Sequence, residues 1–373
     1  MDLGLLAALS GLIIWLVILL LPWQPWSTHE SLDADPQLQT DLADITALIP
    51  ARNEEETIAD TLHALSAQGP GLKIVLIDDQ SSDHTIAVAR STGIGGLEII
   101  AGTPLPPHWS GKLWALEQGR HHAGTGSFLL LDADISLRPG TVAALIHHLQ
   151  SHDLQLVSLM AFLRMTDFWE RLLIPAFIYF FKLLYPFRLS NSQKWPVAAA
   201  AGGCILIRTS ALDNIGGFHA IREALIDDCS LAKKIKSRGG RTWIGLTHSA
   251  ISTRSYNTLG AIWNMVARTA YTQLHHSLPL LGLCTFIMIL AFILPLAGLC
   301  LGDGSIKMIA LLSLLLMSVT YLPSLRYYSI PAYWCLYLPV SGLLFLLMTW
   351  TSAIQYYAGS GASWKGRNYH ESH

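Results

Sequence analysis

Charge is what this chain has least of. Asp, Glu, Lys and Arg make up 13% of its 373 residues, about half the ~25% of an ordinary soluble domain. The formal net charge is −2, from 24 basic and 26 acidic residues. No excess of basic surface is left for a polyanion, which removes nucleic acid as the expected partner. Cysteine is sparse too: Cys204, Cys229, Cys284, Cys300 and Cys335 form no CxxC pair. That pattern argues for reduced thiols and against a disulfide framework or a zinc site. A chain that is 51% apolar and so poor in charge is neither disordered nor wholly soluble.

The few charges are unevenly placed. Between residues 44 and 277 lie 20 of the 24 basic residues and 19 of the 26 acids, whereas the 85 residues from Leu278 to Ala362 hold only Asp303, Lys307 and Arg326. Polar chemistry belongs to the middle, and the ends belong to lipid. Leu3 to Trp23 carries no charge and has a length near the ~30 Å of a bilayer core, and Trp15, Trp23 and the following Trp26 sit where a membrane interface would want them. A cleaved signal peptide would need a basic leader and a small-residue cleavage site, and the chain shows neither, so a retained anchor is expected. Three more runs, Leu278–Leu301, Met308–Leu325 and a core near Ile330–Met348, read as spans, with prolines at 295, 323, 331 and 339 that kink or end them. The apolar stretch 167–190 carries Glu170, Arg171, Lys182 and Arg188 and reads instead as an amphipathic segment lying on the bilayer. Three spans after the soluble region put the basic tail Trp364-Lys-Gly-Arg367 across the membrane from it, against the bias of basic residues to the cytoplasmic side; the alternative is that one run is re-entrant.

From Asp44 strands and helices alternate. Ile45–Pro50, Lys73–Asp79, Leu97–Ala101 and Ser127–Leu131 read as strands, and Glu54–Ala67, Ser82 or Asp83 to Arg90, Lys112–His122 and Pro139–Gln150 as helices. Such alternation predicts a parallel sheet covered on both faces, with ligands at the carboxyl ends of the strands. The acidic motifs fall at those ends. Asp132 and Asp134 close the fourth strand, where two carboxylates at i and i+2 can share one hard cation, Mg²⁺ or Mn²⁺, with a diphosphate; a capping Asp beside a solvated one explains the same pattern. Asp78 and Asp79 end the second strand, where adjacent like charges are unfavourable without a cation or donors; turn and N-cap chemistry is the other reading. Pro50-Ala-Arg-Asn-Glu54 is either a loop with Asn53 as helix cap or a loop holding a base and ribose. Asp227 and Asp228 open a helix to Lys236, a position that in isolation is most often a cap. Adjacent histidine pairs at 121–122, 147–148 and 275–276 point about 100° apart on helices and make poor chelates.

The combination is more telling than its parts. PARNE, IDDxSSDxT, LLLDAD, and then GGF before a helix led by two aspartates, in that order, resemble the family 2 glycosyltransferases of GT-A fold over residues 44–270. The segment from Gly102 through His108-Trp109 to Gly111-Lys112, the run Trp263 to Gln273 with Arg268, and the final Trp364-Lys-Gly-Arg367 look like the hopene-associated glycosyltransferases, and carotenoid-type membrane glycosyltransferases are similar. The resemblance implies an α/β GT-A sheet, mostly parallel, with helices on both faces and transmembrane helices added. It implies that Pro50 and Glu54 serve the nucleotide-base loop, Asp79 with Asp78 the uridine portion, and Asp132 and Asp134 the metal and diphosphate. Asp228 then matches the catalytic base, with Asp227 where Glu usually stands, Gly202 and Gly203 a close-approach loop, and Lys112 and Arg268 the substrate side. Processive polysaccharide synthases carry Gln-x-x-Arg-Trp where this chain has Met265-Val-Ala-Arg268-Thr269, so single transfer is preferred.

The expected layout is an anchor (1–25), a linker (26–43), a cytoplasmic catalytic domain (44–277) with its interfacial segment, three C-terminal spans (278–358) and a tail (359–373), in a bacterial-type cytoplasmic membrane. The expected partners are a nucleotide-sugar donor, UDP-linked by resemblance, a lipid-like hydroxyl acceptor such as a hopanoid, and the bilayer. A processive synthase, a lipid-phosphate sugar transferase and an inactive transferase-fold scaffold are the alternatives.

Overall fold

The structure, a computed structural model, describes residues 3–38 and 40–359 together with the backbone of 363–364 and 367–368. Of the tail motif, Trp364 and Arg367 face each other in a short antiparallel ladder, and Lys365 and Gly366 lie outside the described residues.

The middle of the chain is built on an eight-stranded sheet in the order β3-β2-β1-β4-β7-β6-β8-β5. The strands are β1 (Ile45–Ala51), β2 (Lys73–Asp78), β3 (Leu97–Ala101), β4 (Ser127–Leu131), β5 (Ile135–Leu137), β6 (Leu156–Phe162), β7 (Cys204–Arg208) and β8 (Thr242–Ser252). β1 runs parallel to β2 and β4, β2 to β3, and β6 to β8. β7 is antiparallel to β4 and β6, and β5 is antiparallel to β8. The expected α/β sheet with appended apolar helices is therefore present, its β1–β4 part wholly parallel.

Every residue of β1 and β4 is buried, as continuous apolar strands covered on both faces require. Side chains alternate between the two layers. Ala47, Ile49, Leu129 and Leu131 pack with the helices Ile58–Ser66 and Thr141–Ser151. Leu48, Phe128 and Leu130 pack with Gly111–His122 and Asp227–Ser237. The helix expected from Glu54 begins only at Ile58, because the acids before it are engaged elsewhere. Glu55 accepts from the backbone N–H of His84 at 2.8 Å and Glu54 pairs with Arg254. Asn53 is likewise no helix cap; its side-chain oxygen accepts from the Ser82 N–H at 2.8 Å and joins the loops after β1 and β2.

Three helices are long and apolar enough to cross a membrane: Leu278–Leu301, Gly304–Tyr327 and Ala332–Tyr357. The first contains a π-helical turn, Ile289–Ile293, ahead of Pro295, the usual accommodation where a proline interrupts the hydrogen-bond ladder. The N-terminal helix Leu3–Leu20 is shorter and packs into this bundle. Its Trp15 is fully buried, donates its indole N–H to the Ala291 carbonyl at 2.8 Å and meets Phe292 edge-on at 5.3 Å. His275 and His276 follow the short helix Ala270–Gln273 instead of lying on a helix, both with positive φ.

Two stretches read differently in three dimensions. Residues 30–34, within the stretch expected as a linker, lie along β8: Glu30 and Leu32 exchange backbone bonds with Leu246, and the Asp33 carboxylate accepts from Thr247 and His248. The helix Phe168–Leu184, expected to lie on a bilayer, is largely buried by the chain itself. Leu173, Ile174, Ala176, Ile178 and Tyr179 pack with Trp15, Phe292, Tyr321 and Phe345, and the Tyr179 hydroxyl pairs with Thr320 at 2.9 Å. Its apolar face is wide enough to be covered by other helices, and an amphipathic pattern alone does not say whether lipid or protein covers it.

The loop 198–203 that reaches the carboxyl edge of β4 is fastened from below. The buried Ser158 hydroxyl on β6 accepts from the Ala201 N–H at 2.7 Å and donates to its carbonyl at 3.1 Å. Ser158→Ala leaves both groups buried and unpaired, a cost of about 1–3 kcal/mol, and should lower the thermal unfolding midpoint of the detergent-purified protein; an unchanged midpoint would show that the loop is held otherwise.

Candidate active site

The loops after β1 and β4, the start of the helix Gly111–His122, the start of Asp227–Ser237 and the segment after β8 meet around an open cleft of about 290 Å³. It is lined by Pro50, Glu54, Ser110, Lys112, Asp132, Ala133, Asp134, Ala224, Leu225, Asp227, Arg254, Tyr256 and Arg268. Most of the sequence-derived candidates are on this wall. At formal charge, Glu54, Asp132, Asp134 and Asp227 outnumber Lys112, Arg254 and Arg268 by one.

Lys112 occupies the centre. Ser110 caps its helix, its hydroxyl accepting from the Leu113 N–H, which points the first turn at the end of β4. The ammonium lies 2.7 Å from Asp132 Oδ1 and 3.7 Å from Asp227 Oδ2. Burial alone would lower its pKa, but Asp132, Asp227 and Asp228 outweigh burial and raise it well above the usual range. The Asp132 carboxyl is pushed up by burial; Lys112 opposes this, and Asp134 and Asp227 add to it.

Asp227 and Asp228 begin their helix as expected, but they face differently. Asp227 lines the cleft, and Asp228 stands behind it, its Oδ2 accepting from Gly202 N–H at 2.8 Å and its Oδ1 from Cys229 N–H at 2.6 Å. Burial and then Asp227 push Asp228 up to about 7, against those donors and Lys112. A Cβ on Gly202 would sit 3.2 Å from Lys112 Nζ and 3.4 Å from Asp228 Oδ2, so a larger residue there would press on the lysine ammonium. The Gly203 carbonyl accepts from Asp132 N–H at 3.1 Å.

On the other side Asp134 is gripped by a residue that the sequence reading passed over. Arg254 Nε lies 3.0 Å from Asp134 Oδ2 while its Nη2 lies 3.0 Å from Glu54 Oε1. Ser252 also donates to Asp134 Oδ2, at 3.2 Å. Tyr256, equally unforeseen, presents its backbone N–H to the buried Glu170 at 2.9 Å. The available signal was position: both follow a long strand, β8, whose end faces the end of β4 in space but lies over a hundred residues away in sequence.

Asp78 ends β2 at the same sheet edge, opposite Ala51 in register, and Asp79 follows it, its N–H donating to the Ala51 carbonyl at 2.8 Å, but neither is among the residues lining the cleft. Asp78 accepts from Ser81 N–H at 3.1 Å, and Asp79 is buried beside Arg52, which donates to its carbonyl. Arg268 reaches the wall from the end of the helix Leu259–Ala267, which packs on the third span.

Among the described residues no group of three or more His, Cys, Asp or Glu side chains could by itself hold a metal ion. Two hard carboxylates on a wall with an excess of negative charge do suit Mg²⁺ or Mn²⁺ when a diphosphate completes the coordination. The donor chemistry fits such an ion on those terms.

The sequence model of the family described as glycosyl transferase family 2 matches residues 46–216. This domain belongs to the family 2 glycosyltransferases. A 4,4'-diaponeurosporenoate glycosyltransferase of Staphylococcus aureus (strain USA300) is 37% identical over 107 residues, 28% of this chain and 28% of that protein; the chain thus matches little more than a quarter of its relative's length. A mannosyltransferase from Pyrobaculum calidifontis, solved in complex with GDP-Man and Mn²⁺, superposes with a TM-score of 0.56 at 18% identity, over 91% of this chain and 99% of that one. That likeness is one of fold, and it extends over the family 2 domain and most of the apolar helices together.

The charge cluster makes stability depend on pH. Asp228 keeps its proton to about pH 7 in the folded chain and releases it near 3.8 when unfolded. Between those values the folded state binds more protons, so stability falls as pH rises. Lys112→Met removes the cation that offsets this, and the fall should steepen. The deficit in unfolding midpoint relative to wild type should be larger at pH 8 than at pH 5; a deficit independent of pH would contradict the cluster.

Proposed function

We propose that the chain is a membrane-bound inverting glycosyltransferase that moves one sugar from a nucleoside-diphosphate sugar, UDP-linked by family resemblance, to the hydroxyl of a lipid-like acceptor of hopanoid or carotenoid type. The observation that carries this reading is the convergence of Asp132, Asp134 and Asp227 with Lys112 at one cleft, with Asp228 directly behind Asp227, while Arg268 enters the cleft from a helix packed on the third span. The layout proposed from the sequence goes with it: an anchor before residue 26, the catalytic domain on the cytoplasmic face to residue 277, and three spans after it in a bacterial-type cytoplasmic membrane.

Pro50, Glu54, Asp78 and Asp79 serve the nucleoside, and Gly202 and Gly203 allow backbone to approach the sugar. Lys112 and Arg268 are the cations placed to meet the diphosphate. Asp132 and Asp134 would hold Mg²⁺ or Mn²⁺, which when bound supplies neutralisation of the leaving diphosphate. Asp228 takes the proton from the acceptor hydroxyl. A carboxyl with a pKa near 7 is half-deprotonated at neutral pH yet a stronger base than an ordinary carboxylate, the compromise general-base catalysis requires. Asp227 holds that pKa up by repulsion. A lipid acceptor confined to the bilayer is concentrated beside the cleft, a gain in effective concentration without new contacts.

The direct test is a detergent-solubilised assay with a panel of UDP- and GDP-sugars, Mn²⁺ and membrane lipid extract, read by mass spectrometry. One added hexose on a neutral lipid is expected. Polymer, a glycosylated phosphate, or no transfer from any donor would each overturn the reading. Asp228→Asn should retain donor binding and lose about 10²–10⁴-fold in turnover, the usual worth of a general base. In Asp227→Asn the neighbouring charge is gone, Asp228 becomes more acidic, and the acid limb of the rate profile should move to lower pH; an unmoved limb would assign the titration to another group.

A further inference from the structure

Both carboxylates of the Asp132-x-Asp134 motif carry a cation belonging to the chain: Lys112 on Asp132 at 2.7 Å and Arg254 on Asp134 at 3.0 Å. The two cations are mounted differently. Lys112 stands among three aspartates and belongs to the cluster wherever it leans. Arg254 is a fork with one tine on Asp134 and the other on Glu54, at 3.0 and 3.3 Å from its two oxygens. The backbone on either side of it is pinned. Thr253 gives its N–H and its hydroxyl to the Asp134 carbonyl, at 2.8 and 3.0 Å. Tyr256 gives its N–H to Glu170, whose other oxygen accepts from the N–H groups of Thr166 and Asp167 at the start of the helix Phe168–Leu184. The guanidinium can therefore change partners by side-chain rotation, its root held fixed on the wall of the cleft.

We propose that Arg254 is a resident counter-ion of the acid pair: it neutralises Asp134 and ties the Glu54 loop to the end of β4 while the cleft is empty, and it passes to the diphosphate of the incoming nucleotide when Asp134 is given up to a divalent cation. The inference rests on the proposed role of Asp132 and Asp134. Two like-charged carboxylates at one strand end are costly without a partner, and a planar fork suits a carboxylate and a diphosphate alike. Binding then becomes an exchange of cations on Asp134. Metal alone has to displace Arg254 at a cost, whereas metal arriving with a diphosphate offers Arg254 a new anion in the same step. The chain would bind metal weakly without nucleotide and strongly with it.

The test is Mn²⁺ titration by electron paramagnetic resonance on the full-length protein in nanodiscs, without nucleotide and then with UDP or, separately, GDP. Arg254→Gln should bind Mn²⁺ without nucleotide about tenfold more tightly than wild type, the scale of one charge contact near a surface. The same variant should bind the nucleotide with Mn²⁺ about tenfold more weakly. Arg254→Lys, which keeps the charge and loses the fork, should stay near wild type for Mn²⁺ alone and weaken for the nucleotide. If Arg254→Gln binds Mn²⁺ alone no better than wild type while both bind it with nucleotide, the counter-ion role is overturned and the reading of Asp132 and Asp134 stands. If wild type binds no Mn²⁺ even with nucleotide, both are overturned.

Discussion

The contact between the Lys112 ammonium and the Asp132 carboxylate is what the geometry of the cleft depends on. It joins the start of one helix to the end of the central strand β4, and Lys112 also draws in Asp227 from a second helix. Each of these carboxylates sits where a strand or helix end brings it near another, and none of the elements would hold its acid there against the repulsion without a cation among them. A half-buried ion cluster of this kind is a poor source of net stability, because desolvation opposes attraction. Its retention is better explained by what it makes available: a cation and several carboxylates fixed within hydrogen-bond reach, one of them poised near neutrality.

The family 2 domain and the apolar helices are joined through this same region. The helix Phe168–Leu184 starts with Glu170, which fixes the loop carrying Arg254 and Tyr256, and continues into the packing around Tyr179, Phe292 and Tyr321. A second tie runs through His248 on β8, whose ring nitrogens face the Asp33 carboxylate at 3.1 Å and the Tyr327 carbonyl at 3.0 Å. The N-terminal segment, the sheet and the end of the second span thus meet at one side chain. The cleft is built on a base shared by both parts of the molecule, and a change in packing of the helix at 168–184 has a short covalent and hydrogen-bonded path to Arg254.

What was legible in the sequence was what periodicity and strand ends determine. β1 to β4 were placed to within a residue or two because fully buried strands read as continuous apolar runs bounded by turn residues. The acids at 132, 134, 227 and 228 could be picked out because they follow such runs or open a helix, whereas Lys112 and Arg268 were singled out through the family resemblance. Arg254 was not legible, because its meaning comes from Asp134 and Glu54, which approach it only after β8 takes its place beside β6. The length of the Glu54 helix was misjudged for a related reason: acids that suit a first helical turn by local rules were claimed by Arg254 and by the His84 backbone. The helix at 168–184 shows the same limit in apolar form, since a stripe of aromatic and aliphatic residues specifies burial without naming what buries it.

The difference between Asp227 and Asp228 follows from one residue of helix rotation. Neighbouring positions on a helix point about 100° apart, so when Asp227 faces the cleft and the Lys112 ammonium, Asp228 must turn toward the loop at Gly202. There it is half-buried and close to a like charge, and both effects favour the protonated form. Asp227 keeps Oδ2 toward Lys112 at 3.7 Å, while its Oδ1 accepts from the Asp228 N–H at 3.0 Å. A pair of adjacent acids at this helix start is thus not redundant. With burial, one of them lifts the pKa of the other, and the N–H of Gly202 holds the inner carboxylate in place.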